Sequence, residues 1–306
     1  MGRETLFSRR MGRHYDELKW LYCELYEGGI GKFQELCGLM EQRSRERDEK
    51  FRRLDRKREE NPDWYKRSDM VGMMMYTDAF AGTLKGVKEK LGYITECGVR
   101  CLHLMPLLDS PAVNNDGGYA VSDFTKVKES LGTMADLKEL AEECHRRSIS
   151  LCLDFVMNHT SEEHEWARRA RAGEKEYQDR YFFFDSYDIP AQYEKTCPQV
   201  FPTTAPGNFT WLEDVRKYVM TTFYPYQWDL NYANPDVFNI MVDNLLNLAN
   251  HGVDVLRIDA VPYIWKELGT SCRNLPQVHT IVRMLRMICE VVCPGVLLLG
   301  EVVMEP

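Results

Sequence analysis

No apolar run in this chain approaches the roughly 20 residues needed to cross a bilayer, which argues against a helical membrane span. The N-terminus, MGRETLFSRR, is basic but lacks the apolar core of a secretory signal. The ten cysteines are scattered singly, with neither a CxxC pair nor a Cys/His cluster at metal-ligand spacing. This removes zinc-ribbon and thioredoxin-like readings. Without an export signal these cysteines are expected to be reduced thiols of a cytoplasmic protein, which leaves the glycosylation sequons at Asn158 and Asn208 silent. Basic charge is also scarce: 39 Lys and Arg stand against 47 Asp and Glu, a net charge of −8. Nucleic-acid binding relies on clustered cations, so such a partner is not expected, whereas a neutral, hydroxyl-rich ligand is compatible with this balance. Internal repeats and low-complexity segments are absent.

What is present is the composition of a globular protein with a sizeable core, 44% hydrophobic and 28% charged. Residues 1–68 are predicted to be helical, because Leu18, Leu21, Tyr22 and Leu25 recur at helix spacing before Gly28-Gly29 breaks the pattern. A second helix runs into ERDEKFRRLDRKREE, whose mixed signs suggest a solvated face, and Asn61-Pro62 stops it. Beyond this point apolar runs alternate with helical patterns at Leu84 to Thr95, Met134 to Arg147 with Thr133 as N-cap, Pro235 to Ala249 with Pro at its first turn, and Leu275 to Val292. The runs are Val71 to Tyr76, Cys101 to Leu107, Ile149 to Val156, Val253 to Ile258 and Val296 to Leu299. Near-continuous apolar strands separated by helices predict a parallel sheet covered on both faces. About 75 residues from Thr160 to Asn234, rich in aromatics, Pro and Asp, are too long for a plain loop and read as a small inserted domain.

If the sheet curls into a β/α barrel, its chemistry gathers at the C-terminal strand ends. The fourth strand ends Arg257-Ile258-Asp259, placing Arg257 and Asp259 on one side of the strand. A guanidinium there keeps a carboxylate ionised as a nucleophile must be, although a structural ion pair has the same signature. Leu299-Gly300-Glu301 puts a second carboxyl at the same height, either as a general acid or as a solvated strand end. Carboxyl groups about 5–5.5 Å apart are the retaining arrangement for cleaving a glycosidic bond. Asp154 is expected to anchor a neighbouring Arg or backbone. His159 could donate to a sugar hydroxyl or be structural. In Asp116-Gly117-Gly118-Tyr119 a glycine turn could present Tyr119 to a sugar ring and Asp116 to its hydroxyls.

The segments DGGYAVSDF, DFVMNHTSEEHEWA, VDVLRIDAV and LLLGEVV, in this order and spacing, resemble the signatures of the α-amylase superfamily. NPDWYKRSDMVGMMMYTDAFAG, RCLHLMPLL, TTFYPYQWDLNYANP and IWKELGTSCRNLPQ are similar to the amylosucrase branch, and this likeness extends over essentially the whole chain. The resemblance implies a (β/α)8 TIM barrel with a helical region before it and an inserted domain at about 160–234. It implies Asp259 as nucleophile and Glu301 as acid/base, with Arg257 holding Asp259 and counted among the substrate-binding residues. It makes Asp116 and His159 ligands of the glucosyl hydroxyls, Tyr119 a stacking platform, and Trp228 a pocket wall; for Phe223, also in the insert, core packing is the other reading. The implied reaction is retaining glucosyl transfer from sucrose to an α-1,4-glucan or other sugar acceptor, without metal or cofactor. A sucrose hydrolase or α-glucosidase on the same scaffold is the alternative, and a non-catalytic sugar-binding remnant is the alternative of another class. The family's third catalytic carboxylate, the Arg that pairs with Asp116, strands six to eight and the all-β domain have no counterpart here. The expectation is therefore a barrel truncated after strand five and inactive on its own.

Overall fold

The computed structural model describes residues 5–303, and its centre is a five-stranded, all-parallel sheet. In chain order the strands are β1 (Val71–Met75), β2 (Val99–Leu104), β3 (Ser150–Val156), β4 (Val255–Asp259) and β5 (Leu297–Gly300), and spatial order equals sequence order. Each apolar run of the sequence forms one of them, with ends shifted by at most three residues. All seven residues of β3 are buried, as befits the middle strand of a covered parallel sheet. Among the described residues β1 pairs only with β2 and β5 only with β4, so the sheet has two open edges.

Helices cover the sheet from outside. Between β1 and β2 lie three short helices, Thr77–Ala81, Leu84–Glu89 and Leu91–Glu96, the last two in place of a single one. The N-terminal region holds α1 (Leu6–Leu25), α2 (Ile30–Glu46) and α3 (Glu49–Glu59). Asp48 breaks the expected second helix in two, because its side chain accepts from the Lys50 N–H and caps a new start. Then come α4 (Met134–Arg146), α5 (Pro235–Asn250) and α6 (Pro276–Val292). Thr133 caps α4, and its reciprocal bonds with Asp136 complete a capping box. Asn234 caps α5, where Pro235 takes the first turn, a position at which its missing N–H costs nothing. No helix among the described residues is long and apolar enough to cross a membrane.

The mixed-charge stretch is not merely a solvated face. Arg47 and Asp55 form a buried pair with bonds of 2.6 and 2.8 Å. Arg58 reaches the lower rim of the sheet, bonding Asp254 Oδ1 at 2.6 Å, the Gly295 carbonyl at 3.0 Å and Ser150 Oγ at 3.1 Å. Asp254 is completed by His145 and by the Leu151 N–H, each at 2.8 Å. Burial opposes its charge, but Arg58 and His145 win and bring its carboxyl down to about 2. These contacts tie α3 and α4 to the N-terminal ends of β3, β4 and β5.

The long connection after β3 has structure of its own. Phe183–Phe184, Lys217–Met220 and Phe209–Leu212 form a three-stranded antiparallel sheet with Lys217–Met220 in the middle. A two-stranded ribbon, His159–Ser161 with Gln227–Asp229, connects this segment to the end of β3.

Candidate active site

The C-terminal ends of the strands border a cavity of about 550 Å³. Asp116, Tyr119, His159, Asp259 and Glu301 all line it, so four connections that are distant in sequence converge on one mouth. Asp259 ends β4 and Glu301 follows β5. The register places Ile258 opposite Gly300, and the Glu301 N–H donates to the Ile258 carbonyl at 2.9 Å, so the two acidic residues stand side by side.

One guanidinium organises them. Arg257 pairs through Nη1 with Asp154 Oδ1, lies 3.5 Å from Asp259 Oδ1, and bonds Glu301 Oε1 through Nη2 at 2.6 Å. Asp154 is inaccessible to solvent, and its second oxygen meets His103 Nε2 at 2.8 Å. His103, Asp154 and Arg257 thus form a polar row across β2, β3 and β4 beneath Asp259 and Glu301. Three carboxyl groups crowd one guanidinium, and positive charge runs short. Burial first, then the hydrogen bond and charge of Glu301, push Asp259 well above the usual carboxylate range, with Arg257 opposing. Ala260, directly after Asp259, adopts a left-handed φ of 52°, and its N–H points at Glu301 Oε2 at 3.4 Å. Such backbone in a non-glycine residue has to be held by its surroundings.

The opposite wall is built on the turn after β2. Gly118 has φ 98°, and a Cβ there would come within 2.9 Å of Pro106, so only glycine fits. Tyr119 then faces the cavity with its hydroxyl 3.5 Å from Arg257 Nη1. Asp116 is raised by burial, and the Gln227 amide, donating at 3.1 Å, opposes this. His159 is fully buried, and burial lowers it to about 4, so it is neutral near pH 7. Its Nδ1 lies 3.3 Å from Asn158 Nδ2, and its Nε2 lies 3.2 Å from the Tyr119 carbonyl and 3.1 Å from the Gln227 amide nitrogen.

The sequence profile of the alpha-amylase catalytic domain matches residues 58–305. The chain belongs to the α-amylase family. Trehalose synthase/amylase TreS of Mycolicibacterium smegmatis is 40% identical over 221 residues, covering 72% of this chain and 36% of that protein. Among solved structures, the trehalulose synthase MutB of Pseudomonas mesoacidophila MX-45 superposes with a TM-score of 0.66 at 28% identity, over 78% of this chain and 45% of that one. An isomaltulose synthase mutant of Erwinia rhapontici NX5, solved with its natural substrate sucrose, gives 0.67 at 26% identity, over 78% and 44%. This α-amylase-family chain thus spans less than half the length of these relatives. The family expectation holds, while these relatives carry trehalose synthase, trehalulose synthase and isomaltulose synthase names rather than amylosucrase.

Two expectations for this α-amylase-family site need correction. Trp228 is no pocket wall: it is fully buried, wedged edge-on against Tyr181 and Phe183 at 5.7 and 5.5 Å, under the Arg171 guanidinium. It sits on the ribbon opposite Thr160, where alternation turns it into the core of the insert. Phe223, for which core packing was the other reading, does line the cavity, between His159 and Tyr263 at 5.2 Å each. Arg257, in turn, is engaged by three carboxyl groups and is absent from the cavity lining, so it positions the pair rather than binding sugar.

Other residues went unread. Gln227 bridges toward Asp116 and His159 and is fully buried, a polar side chain beside Trp228 on an alternating strand. His103 interrupts the apolar run of β2, a signal of the same kind. Lys266, almost fully buried, pairs with Asp229 Oδ2 at 3.1 Å and Asn158 Oδ1 at 2.7 Å, and also reaches the Tyr263 carbonyl. It joins the loop after β4 to the insert and to the residue preceding His159. Nothing in its local sequence marks it.

Proposed function

We propose that this chain carries the nucleophile and acid/base of a retaining enzyme that transfers α-glucosyl units, with sucrose as donor. The observation that carries the proposal is the Asp259–Glu301 pair, held side by side on one guanidinium at the mouth of the sheet. Retention needs two carboxyls close together sharing one proton. The anionic member attacks the anomeric carbon while the protonated member gives its proton to the departing fructosyl oxygen. The covalent glucosyl-enzyme ester then passes its sugar to an acceptor, with the acid/base deprotonating the acceptor hydroxyl. In this reading Asp259 attacks and Glu301 moves the proton. Arg257, 3.5 Å from Asp259 Oδ1, favours the anionic form that attack requires. Tyr119 forms the stacking platform, and Asp116 and His159 face the glucosyl hydroxyls.

The acceptor is the finer part of the proposal. The whole-chain likeness to amylosucrases favours an α-1,4-glucan. The kinship with trehalose and sucrose-isomer synthases favours a second reading, in which the released sugar is recaptured through a different hydroxyl. Incubating the protein as its own gene encodes it with sucrose, in the presence and absence of glycogen, separates them. Chain growth on glycogen with free fructose supports glucan transfer, and a disaccharide isomer of sucrose supports recapture. Glucose and fructose alone support hydrolysis, and untouched sucrose beside consumed maltose or trehalose removes sucrose as donor.

A further inference from the structure

Two cysteines outside the catalytic constellation meet at the edge of the cavity. Cys197 belongs to the insert and Cys272 to the connection between β4 and α6, yet both pack in one small buried cluster with Tyr193 and Met220. Their sulfurs are in hydrogen-bonding contact with each other and converge on one turn. Cys197 Sγ lies 3.5 Å from the Thr270 carbonyl and Cys272 Sγ 3.4 Å from the Glu267 carbonyl. The Cys272 N–H bonds Thr270 Oγ1 at 3.1 Å, and Cys272 holds a left-handed φ of 53°, so its side chain is aimed by the backbone. Residues on both sides border the cavity: Gln199, Val200 and Phe201 follow Cys197, and Arg273 follows Cys272. Arg273 also donates to the Pro198 carbonyl at 2.9 Å, so a non-covalent clasp already spans the joint.

We propose that Cys197 and Cys272 are a redox modification site, a dithiol that hydrogen peroxide converts to a disulfide clamping the insert to the loop after β4. The hydrogen bond from Cys197 and the nearby Lys266 favour the thiolate of Cys272, which is brought down to about 6 against burial. That thiolate attacks one peroxide oxygen and the O–O bond breaks, giving a sulfenic acid on Cys272 and, after protonation, water. The Cys197 sulfur then attacks the sulfenic sulfur, its thiol proton leaving with the displaced hydroxide as a second water. The sum is two thiols and one peroxide giving one disulfide and two waters. Closing the bond draws the sulfurs to about 2.05 Å, and the exposed neighbours Pro198 and Ser271 leave room for that shift. Cys289 and Cys293 also touch, but Cys289 lies in the last turn of α6 and Cys293 is the residue that ends it, so a bond between them would join no separate elements. Cys97, by contrast, is exposed.

The site is separable from the sugar chemistry, because its readout is covalent. The full chain is treated with hydrogen peroxide, alkylated and digested with trypsin, which frees residues 196–216 and 267–273 as single peptides. The proposal expects these two peptides cross-linked, two free thiols lost per cross-link, and complete reversal by dithiothreitol. With Cys197→Ser, the sulfenic acid on Cys272 should persist and be captured by dimedone. Oxidation confined to Cys97, a disulfide to any other cysteine, or over-oxidation of Cys272 without cross-linking in the unmodified chain would overturn it.

Discussion

Asp259 and Glu301 share Arg257 with a third carboxylate, Asp154, that takes no part in the proposed chemistry. Asp154 is the anchor that stops the guanidinium from following either catalytic group, and the sequence already marks it as one. The aromatic assignment is harder, because Phe223 and Trp228 lie five positions apart on one segment and only its path into the ribbon decides which faces the cavity. Their variants should therefore separate cleanly. Trp228→Ala should cost about 3–5 kcal/mol of stability, seen as a lower Tm. Phe223→Ala should leave Tm nearly unchanged and lower kcat/KM on sucrose by about tenfold, roughly the 1.4 kcal/mol that one aromatic contact supplies. Equal loss of Tm in both would put Phe223 back in the core. His159 supplies a pH test. Its ordinary value near 6.5 falls to about 4 in the fold, so between those values the unfolded chain binds a proton that the folded one does not. Stability is complete above pH 6.5 and falls as pH drops toward 4. The loss is up to about 3 kcal/mol, at about 1.4 kcal/mol per pH unit. Denaturant titrations across that window should show this slope weakened in His159→Gln, and an unchanged slope would contradict the burial argument.

Among the elements, α3 is where pattern reading and structure part most clearly. Its sequence, with charges of both signs mixed over eleven residues, is indistinguishable from a solvated helix. Arg58 is nevertheless inserted against Asp254, Gly295 and Ser150, with its guanidinium over Trp64. Local sequence cannot report this, since the partners lie up to 237 residues away. Strands, caps and strand-end carboxylates were legible because each is set by neighbours along the chain: Thr133 before α4, Pro235 opening α5, Arg257 two before Asp259. Gln227 and Lys266 were not, because their importance comes from what they meet across the fold. Arg58→Met tests the clasp. It leaves Asp254 buried with only His145 to balance it and should cost about 3–5 kcal/mol, read as a fall in the denaturation midpoint. A change within about 0.5 kcal/mol would mean that α3 is a surface decoration after all.

At the scale of the whole molecule, a parallel sheet brings the ends of β4 and β5, the turn after β2 and the ribbon after β3 to one mouth. The N-terminal helices and the Arg58 cluster hold the opposite rim. This division puts fold stability at one end of the strands and chemistry at the other. The same topology makes the nucleophile the weakest point of the proposal to read from sequence, since Asp259 gains its meaning only beside Glu301. The most direct measurement is covalent trapping with a 5-fluoro-α-glucosyl fluoride, which forms the glucosyl-enzyme readily but releases it slowly. Mass spectrometry of the digested protein should place one added fluoroglucosyl group on Asp259. Asp259→Asn should take up no label and should lose turnover by at least about a thousandfold, some 4 kcal/mol of barrier. A label on Glu301 or any other side chain, or turnover of Asp259→Asn within tenfold of the unmodified protein, would contradict the account.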